Sequence, residues 1–175
     1  MTLEQSIRTS IRDIPDFPKP GILFRDITPL FYNQVLCTQI AKAIVEQQLE
    51  KPDAVLGIES RGFIFGQMIA NLLNVPFVLI RKAGKLPGKT FQVEYALEYG
   101  NAKIEMLQDA IKPNWKVLIH DDLLATGGTA AATAELVKKA GAQIIGFNFV
   151  IGLDFLKGRD KLVTHTNNIQ CLVHY

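Results

Sequence analysis

Apolar positions along the chain follow two periods, one helical and one extended, and the switches between them mark out the elements. Leu3, Ile7, Ile11 and Ile14 recur at helical spacing and predict an amphipathic helix at the start. Pro15, Pro18, Pro20 and Gly21 then interrupt regular structure, so residues 17–27 read as a loop. That loop carries Phe17, Ile22, Leu23, Phe24 and Ile27, more large apolar side chains than a solvated loop needs, and it is expected to lie against another surface. Residues 35–49 form the next helical stretch, ended by Lys51-Pro52-Asp53. Residues 54–58 are a short unbroken apolar run, the pattern of a strand buried on both faces. Ser60 is placed to cap a helix over 62–73, and 75–80 is a second strand.

Residues 81–90 are rich in Lys and Gly and predict a mobile loop. Two alternating segments come next, near 91–97 and 102–106, with Tyr99-Gly100-Asn101 between them, which predicts a hairpin. Residues 117–120 make a third core strand, 127–140 a helix closed by Gly141, and 143–151 a further strand. A last short strand is expected near 169–173. Strands alternating with helices indicate an α/β fold in a single domain, with a mainly parallel central sheet flanked by helices.

Composition narrows the class. With 175 residues, 48% of them hydrophobic and 21% charged, the chain can build one ordinary core and is not disordered. A net charge of +2 is too small to argue for nucleic acid. Cys37 and Cys171 are too few and too far apart for a disulfide framework, and reduced buried thiols are expected. The first residues lack the apolar core of a signal peptide. The most apolar stretch, 144–156, is too short for a membrane span and contains Asn148 and Asp154. A cytoplasmic location with no membrane partner is the resulting expectation.

The candidate chemistry lies at the end of the third strand, in Asp121-Asp-Leu-Leu-Ala-Thr-Gly-Gly-Thr129. Ligands of open α/β sheets bind beyond the carboxyl ends of strands. Glycines let backbone N–H groups approach an anion, and a helix N-terminus adds partial positive charge. Thr126 and Thr129 can donate hydroxyl hydrogen bonds, so a phosphate monoester is the natural guest. Asp121 and Asp122 would repel that phosphate unless the ligand also offers hydroxyls. Carboxylates accept hydrogen bonds from ribose 2′- and 3′-OH and can help hold Mg²⁺ through water. The pattern therefore asks for a sugar bearing a phosphate. It is neither a Walker A loop nor a dinucleotide fingerprint.

The same run resembles the phosphoribosyl-pyrophosphate motif of type I phosphoribosyltransferases. More narrowly, the chain is similar to the adenine-using branch of that family, over roughly residues 17–161. Phe17-Pro-Lys-Pro-Gly-Ile-Leu-Phe-Arg-Asp-Ile-Thr-Pro29 matches its adenine segment, and Glu59-Ser-Arg-Gly-Phe63 its pyrophosphate loop. Arg81-Lys-Ala-Gly-Lys-Leu-Pro-Gly88 matches its flexible loop, and Leu97-Glu-Tyr-Gly100 the segment beyond that loop. The resemblance implies a single domain over 1–175, with an N-terminal base-binding hood to about 34, a core from about 35, and a flexible catalytic loop. It implies transfer of the phosphoribosyl group of 5-phosphoribosyl-1-pyrophosphate to adenine, giving AMP and pyrophosphate. Mg²⁺ is implied, held mainly through substrate and water rather than by dedicated protein ligands, and so is a homodimer.

Residue by residue, the resemblance assigns the 5′-phosphate to Ala125, Thr126, Gly127, Gly128 and Thr129, and the ribose and Mg²⁺-linked role to Asp121 and Asp122. It gives pyrophosphate to Glu59, Ser60, Arg61, Arg81, Lys82 and Lys85, with an unusual backbone at the Glu59 step. Adenine goes to Leu23, Phe24 and Arg25. Relatives that use 6-oxopurines carry an acid/base Asp where this chain has Ala125, so the purine proton falls to Glu98, the implied catalytic residue. Read without the resemblance, Glu98 is an ordinary strand glutamate, Phe24 a core aromatic, and the loop lysines solvated charges. His120 stands where that family usually places an aliphatic residue, and reads as a satisfied strand-end histidine. Two further functions remain open at this stage: the same fold acting on guanine or xanthine, and a non-catalytic regulator that binds nucleic acid.

Overall fold

The computed structural model of the chain describes residues 1–96 and 100–175. Helix α1 spans Leu3–Ser10 and starts with a capping box, in which Gln5 N–H donates to Thr2 Oγ1 at 3.2 Å and Thr2 N–H to Gln5 Oε1 at 2.9 Å. It ends before the apolar spacing does. Pro15 disfavours helical backbone at Ile14, and Arg12–Pro15 instead forms strand β1. β1 pairs antiparallel with β2 (Leu23–Asp26), in the segment expected to be a loop. The ribbon is pinned at its end by Asp26, which accepts from Arg12 Nη2 at 2.7 Å and from Thr28 N–H at 2.9 Å. Thr28–Tyr32 forms a 3-10 turn, and α2 comes next over Gln34–Glu46, capped by Asn33.

The main sheet has seven strands. They are β3 (Ala54–Ile58), β4 (Phe77–Lys82), β5 (Thr90–Ala96), β6 (Asn101–Leu107), β7 (Lys116–Leu124), β8 (Gln143–Gly152) and β9 (Ile169–His174). Their order is β5-β6-β4-β3-β7-β8-β9. β4, β3, β7, β8 and β9 run parallel, and the β5–β6 hairpin closes one edge antiparallel. The remaining helices are α3 (Gly62–Leu73), α4 (Gly128–Lys139) and the short α5 (Arg159–Leu162).

Alternate side chains of the central strands enter two cores. Ile58, Ile80, Ile119, Phe147 and Phe149 pack with the α4 face, while Val55, Leu118, Val150 and Val173 pack with α1, α2 and α3. Burial on both faces is why these strands read as continuous apolar runs. Gly57 and Gly66 make room for Phe77 between α3 and the sheet, since a Cβ at either would lie 2.4 or 2.7 Å from its ring.

Three local expectations are corrected. Ser60 does not cap α3; it stands one residue too early, the N-cap is Arg61, and Ser60 contributes its carbonyl, which accepts Phe63 N–H at 3.2 Å. The basic loop is shorter than expected and tied down, because Arg81 and Lys82 belong to β4, and Glu105 of β6 accepts both Lys85 N–H and Leu86 N–H at 2.9 Å. Cys37 is buried but Cys171 only partly so, although both thiols are free. No helix among the described residues is long and apolar enough to cross a membrane.

Candidate active site

The sheet order creates a crevice. From β3 the chain moves to β4 on one side, then returns after the hairpin to β7 on the other. The carboxyl ends of β3 and β7 therefore diverge at a topological switch point, where open α/β sheets bind ligands. Glu59-Ser60-Arg61 leaves β3 there, and residues 125–129 leave β7 opposite it. The Glu59–Ser60 peptide bond is cis.

The loop of residues 125–129 is built as its glycines demand. Gly127 has φ +74°, and Gly128 opens α4. A Cβ on Gly127 would meet the Gly158 carbonyl oxygen at 2.4 Å, and one on Gly158 would meet the Ala125 carbonyl oxygen at 2.1 Å. The turn before α5 thus lies directly on the loop, a buttress that the sequence did not reveal. Together Ala125, Thr126, Gly127, Gly128, Thr129 and Asp121 line a hollow of about 80 Å³ at the α4 N-terminus. Lys157, Arg159 and Asp160 line a neighbouring cavity with Leu124.

Both aspartates lie within β7, which runs on to Leu124, rather than beyond its end. The strand is longer than its apolar run because Asp121 and Leu123 continue to pair with Phe149 and Ile151 of β8. Asp122 is buried, and its Oδ2 lies 3.0 Å from Arg61 Nε, a charge contact without the alignment of a hydrogen bond. Asp121 Oδ1 accepts Asp122 N–H at 2.9 Å and packs against Gly62, where a Cβ would fall 2.8 Å from it. Burial, and after it the neighbouring Asp122 charge, holds the Asp121 carboxyl well above the usual carboxylate range. Among the described residues no three His, Cys, Asp or Glu side chains converge as a metal cage.

At the end of β3, Glu59 Oε2 accepts Lys82 N–H at 2.9 Å and Arg81 Nε at 3.2 Å. Burial pushes the Glu59 pKa up, but the Lys82 N–H and the Arg81 guanidinium outweigh it and leave it below the ordinary range. Arg81 Nη1 also donates to Lys85 O at 3.1 Å, so its guanidinium braces β3, β4 and the basic loop at once. Glu105, which the sequence did not single out, is the centre of that brace. It is 2% exposed and accepts four donors, Lys85 N–H, Leu86 N–H, Thr90 Oγ1 and Gln92 Nε2. A charged residue between apolar Ile104 and Met106 was the only signal.

The β1–β2 ribbon brings Phe24 to the same crevice. Arg61 Cζ lies 5.6 Å from the centroid of the Phe24 ring, which meets Phe17 edge-on at 5.1 Å. Arg25 pairs with Asp13 and lies over the Tyr175 ring, 4.1 Å from its centroid. Leu23 is half-exposed. Phe24, Arg61 and Asp122 therefore form one contact chain from the β1–β2 ribbon to β7. Lys82 and Lys85 are exposed. Glu98 lies outside the described residues.

His120 is neither at a strand end nor fully satisfied. It is completely buried in β7; its Nδ1 meets Asn148 Oδ1 on β8, while His120 Nε2 and Asn148 Nδ2 have no hydrogen-bond partner.

Known proteins match this arrangement over nearly its whole length. The family model of the phosphoribosyl transferase domain matches residues 32–171. The adenine phosphoribosyltransferase of Cytophaga hutchinsonii is 54% identical over 99% of this chain and 96% of its own. The crystal structure of the Rhodothermus marinus adenine phosphoribosyltransferase superposes with a TM-score of 0.92 at 45% identity, covering 99% of this chain and 98% of that one. The Saccharomyces cerevisiae enzyme, solved with adenine and an imino-altritol bisphosphate, gives 0.90 at 42% identity over 97% and 98%. The chain belongs to the phosphoribosyltransferase family, among the adenine phosphoribosyltransferases.

Proposed function

We propose that this chain converts adenine and 5-phosphoribosyl-1-pyrophosphate into AMP and pyrophosphate, with the crevice between β3 and β7 dividing the work. The observation that supports this reading is the contact chain Phe24–Arg61–Asp122, an aromatic face, a cation and a buried carboxylate beside a small hollow at the α4 N-terminus. The 5′-phosphate is bound by the backbone N–H groups and hydroxyls of 125–129 at the helix N-terminus. Asp121 and Asp122 take the ribose hydroxyls. Arg61, Lys82 and Lys85, with the backbone at Glu59 and Ser60, face the pyrophosphate, while Arg81 holds that side in shape through Glu59.

As pyrophosphate leaves C1, positive charge develops on the ribose and N9 of adenine attacks the opposite face. Fixed cations near the leaving group, and a base held in line, lower that barrier. Asp121 and Asp122 would hold Mg²⁺ through water, together with oxygens of the substrate, and the ion would supply charge neutralisation at pyrophosphate. Ala125 has no proton to give or take, so we assign the N9 proton to Glu98.

β2 belongs to a two-stranded ribbon, which leaves one of its edges without a strand partner. Backbone C=O and N–H groups of Leu23 and Arg25 there pair with the 6-amino group and N1 of adenine, with Phe24 stacking on the ring. Hypoxanthine reverses both polarities and is rejected. The protein works in the cytoplasm, in keeping with its two free thiols, and as a homodimer. Exposed Ile64 and Leu72 on α3 and Leu79 on β4 are apolar surface available for that contact.

The test is a base panel. The chain with Mg²⁺ and phosphoribosyl pyrophosphate forms AMP from adenine and no nucleotide from hypoxanthine or guanine. Failure to make AMP would overturn the reading, and equal use of hypoxanthine would overturn the base assignment.

A further inference from the structure

Thr129 of the phosphate loop has a partner on β5, the edge strand of the main sheet. Tyr95 of β5 places its phenolic oxygen 2.9 Å from Thr129 Oγ1. The ring lies along the first turn of α4, so that a Cβ on Gly128 would sit 3.5 Å from Tyr95 Cδ2. It is half-buried and packs on the α4-side core. We propose that Tyr95 is a positioning residue for the 5′-phosphate, acting through the Thr129 hydroxyl; this rests on the phosphate assignment made above.

The argument is one of proton direction. Between two hydroxyls either oxygen can donate, but a phosphate oxygen only accepts. When phosphate occupies the hollow, the single Thr129 proton turns to it, and Thr129 Oγ1 becomes an acceptor. Tyr95 supplies the proton that this acceptor needs. The order Tyr95 O–H to Thr129 Oγ1, Thr129 O–H to phosphate, is then fixed, and each bond polarises the next. The same bond holds the Thr129 side chain in one rotamer before the ligand arrives, which removes an ordering cost from binding. It also joins the β5–β6 hairpin to the phosphate loop, two elements far apart along the chain.

Tyr95→Phe removes the hydroxyl and keeps the ring packing. Binding of ribose 5-phosphate, measured by calorimetry on the full chain, weakens roughly three- to tenfold, the scale of one net hydrogen bond. KM for phosphoribosyl pyrophosphate rises with it, while KM for adenine and the melting temperature stay near wild type, which a merely structural role would not produce. Thr129→Val weakens ribose 5-phosphate at least as much, Thr129→Ser does not, and Tyr95→Phe added to Thr129→Val weakens it no further. Unchanged binding in Tyr95→Phe, a parallel rise in adenine KM, or additive losses in the double variant would overturn the role of Tyr95 alone. If Thr129→Val also binds ribose 5-phosphate like wild type, the phosphate assignment fails and this inference with it.

Discussion

Arg61 Nε and Asp122 Oδ2 stand 3.0 Å apart across the switch point, joining the end of β3 to β7. The two partners are unequally buried, with 39% of the Arg61 side chain exposed against 5% for Asp122. Removing the arginine therefore leaves a desolvated carboxylate with its nearest cation gone, whereas removing the carboxylate leaves a guanidinium that water can reach.

Arg61→Ala is expected to cost about 1–3 kcal/mol of stability, the range for a pair that is buried at one end and wet at the other. It also raises KM for phosphoribosyl pyrophosphate. Asp122→Asn added to Arg61→Ala recovers part of the stability and none of the substrate affinity. Urea denaturation and steady-state kinetics of Arg61→Ala, Asp122→Asn and the double variant separate the effects. A single variant as stable as wild type would show that the contact is incidental.

Glu105 predicts a local unfolding event. Its carboxylate holds Lys85 N–H and Leu86 N–H from inside, and burial, which pushes its pKa up, is outweighed by those amides and by Gln92 and Thr90, so it stays charged. Glu105→Ala strands two amides and is expected to cost about 2–4 kcal/mol. Hydrogen exchange at Lys85 and Leu86 should accelerate far more than exchange in β3 or β7. A uniform acceleration would instead mean that Glu105 supports the whole sheet.

Much of the fold was legible because both faces of β3, β7 and β8 are buried, which writes a plain apolar run into the sequence. The phosphate loop was legible because its glycines and threonines are contiguous. What stayed hidden depended on contacts between distant segments. The β1–β2 ribbon is held by Arg12–Asp26 and by pairing between residues well separated along the chain, and its alternation is masked by prolines. Gly158 serves a loop far earlier in the chain, and nothing local marks it. Tyr95 and Glu105 each read as one more residue of an alternating strand until the partner strand and α4 are in place.

Tyr175 packs behind Arg25 of β2, the strand proposed to bind adenine. Its ring is flanked by two guanidinium groups, Arg25 at 4.1 Å and Arg8 at 4.8 Å from the centroid. Arg8 Nη2 also donates to His174 O at 2.6 Å, so the end of β9 and α1 together brace β2 through Arg25. Tyr175→Ala is expected to raise KM for adenine a few-fold, as about 0.5–1 kcal/mol of cation–π contact with Arg25 is lost. KM for phosphoribosyl pyrophosphate should not move. Tyr175→Phe keeps the ring face and should behave like wild type. Equal losses in both variants would point to the phenol hydroxyl instead.

His120 gives the chain a pH-dependent stability with a defined window. Burial, only partly opposed by the Asn148 hydrogen bond, lowers its pKa from 6.5 to about 4. Protonation thus favours the unfolded state. The stability that neutral His120 permits is fully present above pH 6.5 and declines as pH falls, because the unfolded chain takes up the proton first. The decline ends near pH 4, where the folded form is protonated too, and the shift corresponds to about 3 kcal/mol over the window. His165, also lowered by burial, acts in the same sense, whereas Glu59 and Glu105 have depressed pKa values and withdraw stability only at lower pH. Replacing the pair, His120→Val with Asn148→Ala, removes the histidine without stranding its partner. Urea midpoints measured from about pH 7 to about pH 4.5 should then fall less steeply than in wild type, whatever the absolute stability of the variant. Identical slopes would place the acid sensitivity elsewhere.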